Sequence, residues 1–187
     1  ECTVSECLTK SVVDNLNVLP SNVNLSGAEI DLIGVEGREF ILKETLDQIK
    51  DLYDYILIDC PPSLNILTVN AMAAADSVIV PIQCEYYALE GLSQLIHTIN
   101  LIQERLNESL SIDGIVFTMY DKRTNLSSEV IENVKENIHL KIYDTVIPRN
   151  VRLAEAPSYG LPIHMYDGKS AGAVAYDNLA KEIIESE

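Results

Sequence analysis

The sequence predicts an α/β protein with a doubly wound, mainly parallel sheet flanked by helices. Three observations carry this. Short apolar runs rich in β-branched residues recur along the chain, and most are followed by a longer segment of helical periodicity. The runs are apolar at consecutive positions, as in strands buried on both faces of a sheet. Strand and helix alternate, and right-handed crossovers then wind helices onto both sides. The 187 residues, 47% hydrophobic and 22% charged, suit one globular unit with a substantial core. No repeat, low-complexity tract or linker divides them, so residues 1–187 are read as a single domain.

Asn17–Pro20 (NVLP) reads as a short strand. Arg38–Leu52 places Phe40, Ile41, Leu42, Leu46 and Ile49 at helical spacing. Tyr55–Asp59 (YILID) is an almost wholly apolar strand ending in an acid. Pro61-Pro62 breaks the chain before a helix over Asn65–Ala75. Ser77–Pro81 is another buried strand, and Leu89–Leu106 a long amphipathic helix. Gly114–Tyr120 reads as a strand, Leu126–Ile138 as a helix, Ile142–Ile147 as a strand and Ala171–Glu185 as a closing helix. In doubly wound sheets ligands bind at the carboxyl ends of the strands. Three segments converge on that edge: Asp59 with Pro61-Pro62, Met119–Asn125 and Pro148–Arg152.

The net charge of −16 argues against nucleic acid as a partner, because phosphate contacts need Lys and Arg. The charge is uneven, however. Residues 1–115 carry 5 basic and 18 acidic side chains, residues 116–170 carry 7 of each, and residues 171–187 carry 1 and 4. No apolar run approaches the ~20 residues of a membrane span, and the first ten residues lack the basic and apolar regions of a signal peptide. Cys2, Cys7, Cys60 and Cys84 form no CxxC pair or zinc spacing. Cys60 and Cys84 end apolar runs and are expected to be buried thiols. His97, His139 and His164 are scattered without partners at ligand spacing. A reduced, cytoplasmic protein without a histidine metal site is expected.

The segment YILIDCPP resembles a Walker B strand, whose terminal carboxylate, Asp59 here, holds Mg²⁺ through water beside bound phosphates. Many α/β strands end in Asp as a cap or turn residue, so the pattern is weak alone. Its partner would be a phosphate loop, G-x-x-x-x-G-K-[ST]. Gly168-Lys169-Ser170 is the one triplet that begins to match, but Ile163 stands where the first glycine belongs. It reads as a surface turn.

Longer motifs are more specific. The segment Tyr55–Gly91, YILIDCPPSLNILTVNAMAAADSVIVPIQCEYYALEG, resembles the ParA/Soj family of partitioning ATPases. So do LNVLPSNVNLSGAEIDL from Leu16, FTMYDKRTNLSSEVIENV, TVIPRNVRLAEAPSYGLPI and AGAVAYDNLAKEI, so the resemblance covers nearly the whole chain. It implies a P-loop NTPase-like fold, ATP and Mg²⁺ as cofactors, and an ATP-bound homodimer on DNA. Asp59 matches the Mg²⁺-side carboxylate. Met119, Tyr120 and Asp121, with Pro148, Arg149 and Asn150, match the segments flanking adenine. Arg123 and Arg152 match arginines of the DNA surface, which contact phosphate without reading sequence. The loop Gln83–Gly91 falls near the dimer and switch region. A ParB-like partner that stimulates hydrolysis, a nucleoid location and no membrane are implied as well.

The family begins with a deviant Walker A loop, KGGxGKT, and an Asp-rich motif, and neither occurs in these 187 residues. Against the family the chain is expected to lack its N-terminal part, with the Walker A lysine and the water-orienting aspartate, and to show no ATPase activity alone. Two other readings stay open. One is a truncated paralogue acting as a non-catalytic scaffold. The other is a MinD-like membrane-associated ATPase, which needs a basic amphipathic C-terminus where this chain has LAKEIIESE. Without the resemblance, Arg123 and Arg152 would simply pair with Asp121 and Glu155.

Overall fold

A computed structural model describes residues 3–61, 63 and 65–186. The chain forms two compact units, residues 1–77 with 99–111 and residues 78–98 with 112–187.

The first unit opens with a helical turn, α1 (Val4–Cys7), and a two-stranded antiparallel ribbon of β1 (Thr9–Lys10) and β2 (Asn17–Val18). The strand expected over Asn17–Pro20 is thus present, with Thr9 opposite Val18. A 3₁₀ turn (Val23–Gly27) leads into α2 (Ala28–Asp31), followed by α3 (Ile41–Leu46) and α4 (Ile66–Ala74). Asn65 caps α4, its Oδ1 accepting from the N–H groups of Leu67 and Thr68 at 3.1 and 3.2 Å. Helices α3 and α4 pack together around the buried Asn70. Its Oδ1 accepts from Leu42 N at 3.1 Å, and its Nδ2 donates to Arg38 O at 2.8 Å and Ile66 O at 2.9 Å. Every hydrogen-bonding group of this buried amide finds a partner, the condition for burying it without penalty.

Two expectations in this unit are corrected. The helix over Arg38–Leu52 is reduced to α3 and a 3₁₀ turn at Lys50–Leu52. Gly37, at φ +71°, turns the backbone out of helical geometry just before it, and Phe40 N donates back to Gly37 O. The strand over Tyr55–Asp59 is not formed, and Leu57 is 88% exposed. An extended apolar run becomes a strand only through a hydrogen-bonded neighbour. Strands β1 and β2 pair with each other, and the second sheet does not include this run. Of the Pro61-Pro62 pair, Pro62 lies outside the described residues.

The second unit holds β3 (Ser77–Gln83), the first part of α5 (Ala88–Arg105), β4 (Ser111–Tyr120), α6 (Asn125–Asn137), β5 (Ile142–Pro148), α7 (Val151–Glu155), α8 (Ile163–Asp167) and α9 (Ala171–Glu185). The sheet is parallel, in the order β3-β4-β5, and helices flank it. Expected and observed elements agree within a few residues here. Strand β4 is central, and its residues Gly114–Phe117 are buried consecutively, as two covered faces require. Val116, Tyr143 and Ile147 pack with Leu179 of α9, joined by Ile79, Leu153 and Ile183. Ile115 and Phe117 alternate with Val116 and so belong to the opposite face.

A β-bulge interrupts the β4–β5 ladder. Ile115 faces Ile142, but Phe117 faces Val146, so β5 spends extra residues over the same span. The released N–H groups of Asp144 and Thr145 donate to the Glu182 carboxylate of α9 at 2.6 and 3.0 Å. A close approach occurs at Gly172, where an added Cβ would meet Leu153 Cγ at 2.5 Å.

Candidate functional site

The carboxyl ends of β4 and β5 lie side by side. Tyr120 is paired with Pro148, and Arg149 N donates to Tyr120 O at 2.9 Å. Met119–Asp121 and Pro148–Asn150, far apart in sequence, are therefore joined through the backbone. Met119 sits at φ +54°, which a non-glycine residue adopts only at a cost, and its side chain is 41% exposed.

Asp121 organises the loop that follows. Its Oδ1 accepts from Arg123 N at 3.0 Å and Arg123 Nε at 2.9 Å, while Oδ2 accepts from Nη2 at 2.7 Å. Asp121 N donates to Ser127 Oγ at 3.3 Å, and Thr124 Oγ1 donates to Asp121 O at 3.1 Å, tying the loop to the start of α6. The Arg123 guanidinium, then its backbone N–H, holds the Asp121 carboxyl well below the usual carboxylate range. The Arg123 side chain stays 81% exposed.

The β5 end is built similarly. Asn150 Oδ1 accepts from Arg152 N at 2.8 Å and caps α7. Arg152 Nη1 meets Glu155 Oε2 at 2.8 Å, and its Nε lies 3.4 Å from Asp167 Oδ2 on α8. Tyr166 OH donates to Glu155 Oε2 at 3.1 Å, and the Tyr166 ring stacks on Tyr159 with centroids 5.0 Å apart. Arg152, then Tyr166, lowers the Glu155 carboxyl below its ordinary range. Both candidate DNA arginines thus form the ion pairs that sequence proximity offers, and both remain open to solvent. Sequence spacing finds Glu155, one helical turn from Arg152. It misses Asp167 and Tyr166, which reach Arg152 and its partner only because α8 folds against α7.

Asp59 belongs to the first unit, exposed on the extended segment outside either sheet. Cys60 beside it is exposed, not buried as expected, because its segment belongs to neither sheet and is not packed as a core strand. Cys84 is buried as expected, and Cys2 lies outside the described residues. Gly168-Lys169-Ser170 forms the turn between α8 and α9. Ser170 Oγ accepts from Ala173 N at 3.2 Å and donates to Asp167 O at 2.8 Å, so it caps a helix and holds no phosphate loop. Beside the exposed Tyr86 and Tyr87, a shallow depression of about 320 Å³ runs between β3 and α5, lined by Val80, Ile82, Tyr87 and Leu92 among others. No Lys or Arg lines it, so it brings no side-chain cation to a nucleotide's phosphates. Among the described residues, no group of three His, Cys, Asp or Glu side chains could hold a metal ion directly.

A parallel sheet flanked by helices, with paired loops at its carboxyl edge, defines an α/β nucleotide-binding class of fold, and the family model described as an AAA domain matches residues 1–112. The sporulation initiation inhibitor protein Soj of Bacillus subtilis is 54% identical over 98% of this chain and 72% of its own length. The chromosome-partitioning ATPase Soj of Treponema pallidum is 51% identical over 97% of this chain and 72% of its own. The crystal structure of cobyrinic acid a,c-diamide synthase from Mycobacterium smegmatis with bound ADP and magnesium superposes with a TM-score of 0.83, at 35% identity, over 98% of this chain and 68% of that one. The chain belongs to the Soj/ParA family of chromosome-partitioning ATPases.

Proposed function

We propose that the carboxyl ends of β4 and β5 form the adenine side of an ATP site and carry a DNA surface beside it. The observation that carries this is the Arg149–Tyr120 backbone bond, which brings the two adenine-matching segments together, with Arg123 on the loop after one and Arg152 in the helix after the other. Met119 offers an exposed apolar surface to a purine ring; within the first unit, Asp59 matches the Mg²⁺-side carboxylate of the family. Bound Mg²⁺ would neutralise phosphate charge. The chain's own part is to hold the base and to present two guanidinium groups to the DNA backbone. Phosphate contacts from exposed arginines carry no sequence information, so binding is sequence-independent. In the cell such a protein acts as an ATP-dependent homodimer on nucleoid DNA in the cytoplasm, regulated by a ParB-like partner. The membrane-associated alternative is less favoured, because α9 spends Leu179 and Ile183 on the sheet core.

The test is fluorescence anisotropy, with ATP and Mg²⁺ present, on two unrelated labelled duplexes across a salt series. Both are expected to bind equally, and Arg123→Ala with Arg152→Ala is expected to weaken both while lowering the log–log salt slope by about one per lost phosphate contact. Unchanged affinity in the double variant overturns the DNA assignment. A second measurement concerns turnover. The 187-residue sequence contains no G-x-x-x-x-G-K-[ST] loop, and phosphoryl transfer needs positioned cations and an oriented water. Phosphate release by this chain is expected at background, and turnover abolished by Asp59→Ala would contradict that.

A further inference from the structure

The two arginines of the candidate DNA surface are not equally provided with counter-charge. Arg123 meets one carboxylate, Asp121. Arg152 meets two, Glu155 at 2.8 Å and Asp167 at 3.4 Å. Glu155 is further fixed by the Tyr166 hydroxyl, whose ring is stacked on Tyr159. The cluster around Arg152 therefore carries one positive and two negative charges. Among the groups in direct contact with the guanidinium, negative charge outweighs positive, although the Arg152 side chain itself is half exposed.

We propose that Glu155 and Asp167 set the affinity of the DNA surface by over-compensating Arg152, so that neutralising them tightens DNA binding. The proposal rests on the reading of Arg152 as a phosphate contact. Long-range bulk charge alone would not single these two carboxylates out, since the chain carries 29 acidic residues. What distinguishes them is direct contact with the guanidinium. Surface ion pairs of this kind contribute little to stability, so removing the carboxylates leaves the fold in place. Tyr166 keeps a hydrogen-bond acceptor in a Glu155→Gln chain. A unit charge about 6 Å from a phosphate in a water-like dielectric changes affinity roughly threefold, and salt screens the effect.

The experiment compares, with ATP and Mg²⁺ present, the 187-residue chain with Glu155→Gln/Asp167→Asn, Arg152→Ala, and the triple combination, by anisotropy of a labelled duplex at low and moderate salt. Circular dichroism checks the fold of each. The double variant is expected to bind roughly tenfold more tightly at low salt, two charges compounding. The gain should shrink as salt rises and vanish in the Arg152→Ala background. A gain that persists without Arg152 means the acids act through bulk charge and overturns the proposal. No gain, a loss of affinity, or no detectable binding by parent and double variant alike also overturns it. If Arg152→Ala alone weakens binding while the double variant gains nothing, the DNA reading survives and only the charge-setting role fails. If Arg152→Ala changes nothing, the DNA reading itself fails at this residue.

Discussion

At residue scale, Gly172 shows how one missing atom fixes a packing distance. It sits in the first turn of α9, where any Cβ would drive into the Leu153 side chain of α7. Cores do not absorb such an overlap freely, because their interiors are packed like crystals. Gly172→Ala removes some backbone freedom from the unfolded chain but forces α7 and α9 apart. We expect a net loss of about 1–3 kcal/mol, the usual cost of overpacking, read as a lower midpoint in thermal unfolding. An unchanged midpoint would mean that Leu153 rotates away and that the glycine is not required. Met119 makes a related point. Its positive φ places a strained residue at the strand end, where functional sites tend to keep strain.

At the scale of elements, Glu182 joins a helix to a strand. The bulge in β5 frees two adjacent N–H groups, and one carboxylate from α9 accepts both. Partial burial opposes its ionisation, but the hydrogen bonds from Asp144 and Thr145 outweigh it, so the Glu182 carboxyl titrates below its ordinary value. A depressed carboxyl contributes stability above the unfolded-state value, and that contribution disappears as the pH falls through the folded-state value. Glu182→Gln is therefore expected to unfold at lower urea than the parent at neutral pH. The difference should be about 1–2 kcal/mol and should narrow as the pH falls into the acid range and protonates a carboxyl that sits below its ordinary value. A gap that is the same at neutral and acid pH would place the effect in packing. The Tyr55–Asp59 run teaches the converse. Its apolar composition predicts a strand, but the run belongs to neither sheet, and Leu57 stays 88% exposed.

At the scale of the molecule, the charge distribution decides how the family resemblance should be understood. The −16 total lies mostly before residue 116, and the balanced stretch over residues 116–170 holds both candidate arginines. The structure sharpens this, since both arginines already hold carboxylates. Much of the second unit was legible in the sequence: its consecutive apolar strands and long periodic helices depend on burial patterns written locally into the chain. Ala171–Glu185 is observed at the predicted bounds. The short helices α7 and α8 were not legible, because a five-residue helix carries no periodicity to detect. Fold class, family and the residue types at the carboxyl edge are written in the chain itself, because these rest on hydrophobic pattern and on ordered motifs. The Tyr120–Arg149 hydrogen bond, the reach of Asp167 to Arg152 and the lack of a strand over Tyr55–Asp59 emerge only on folding. Each of these depends on contacts between residues distant in the chain, which no local pattern specifies.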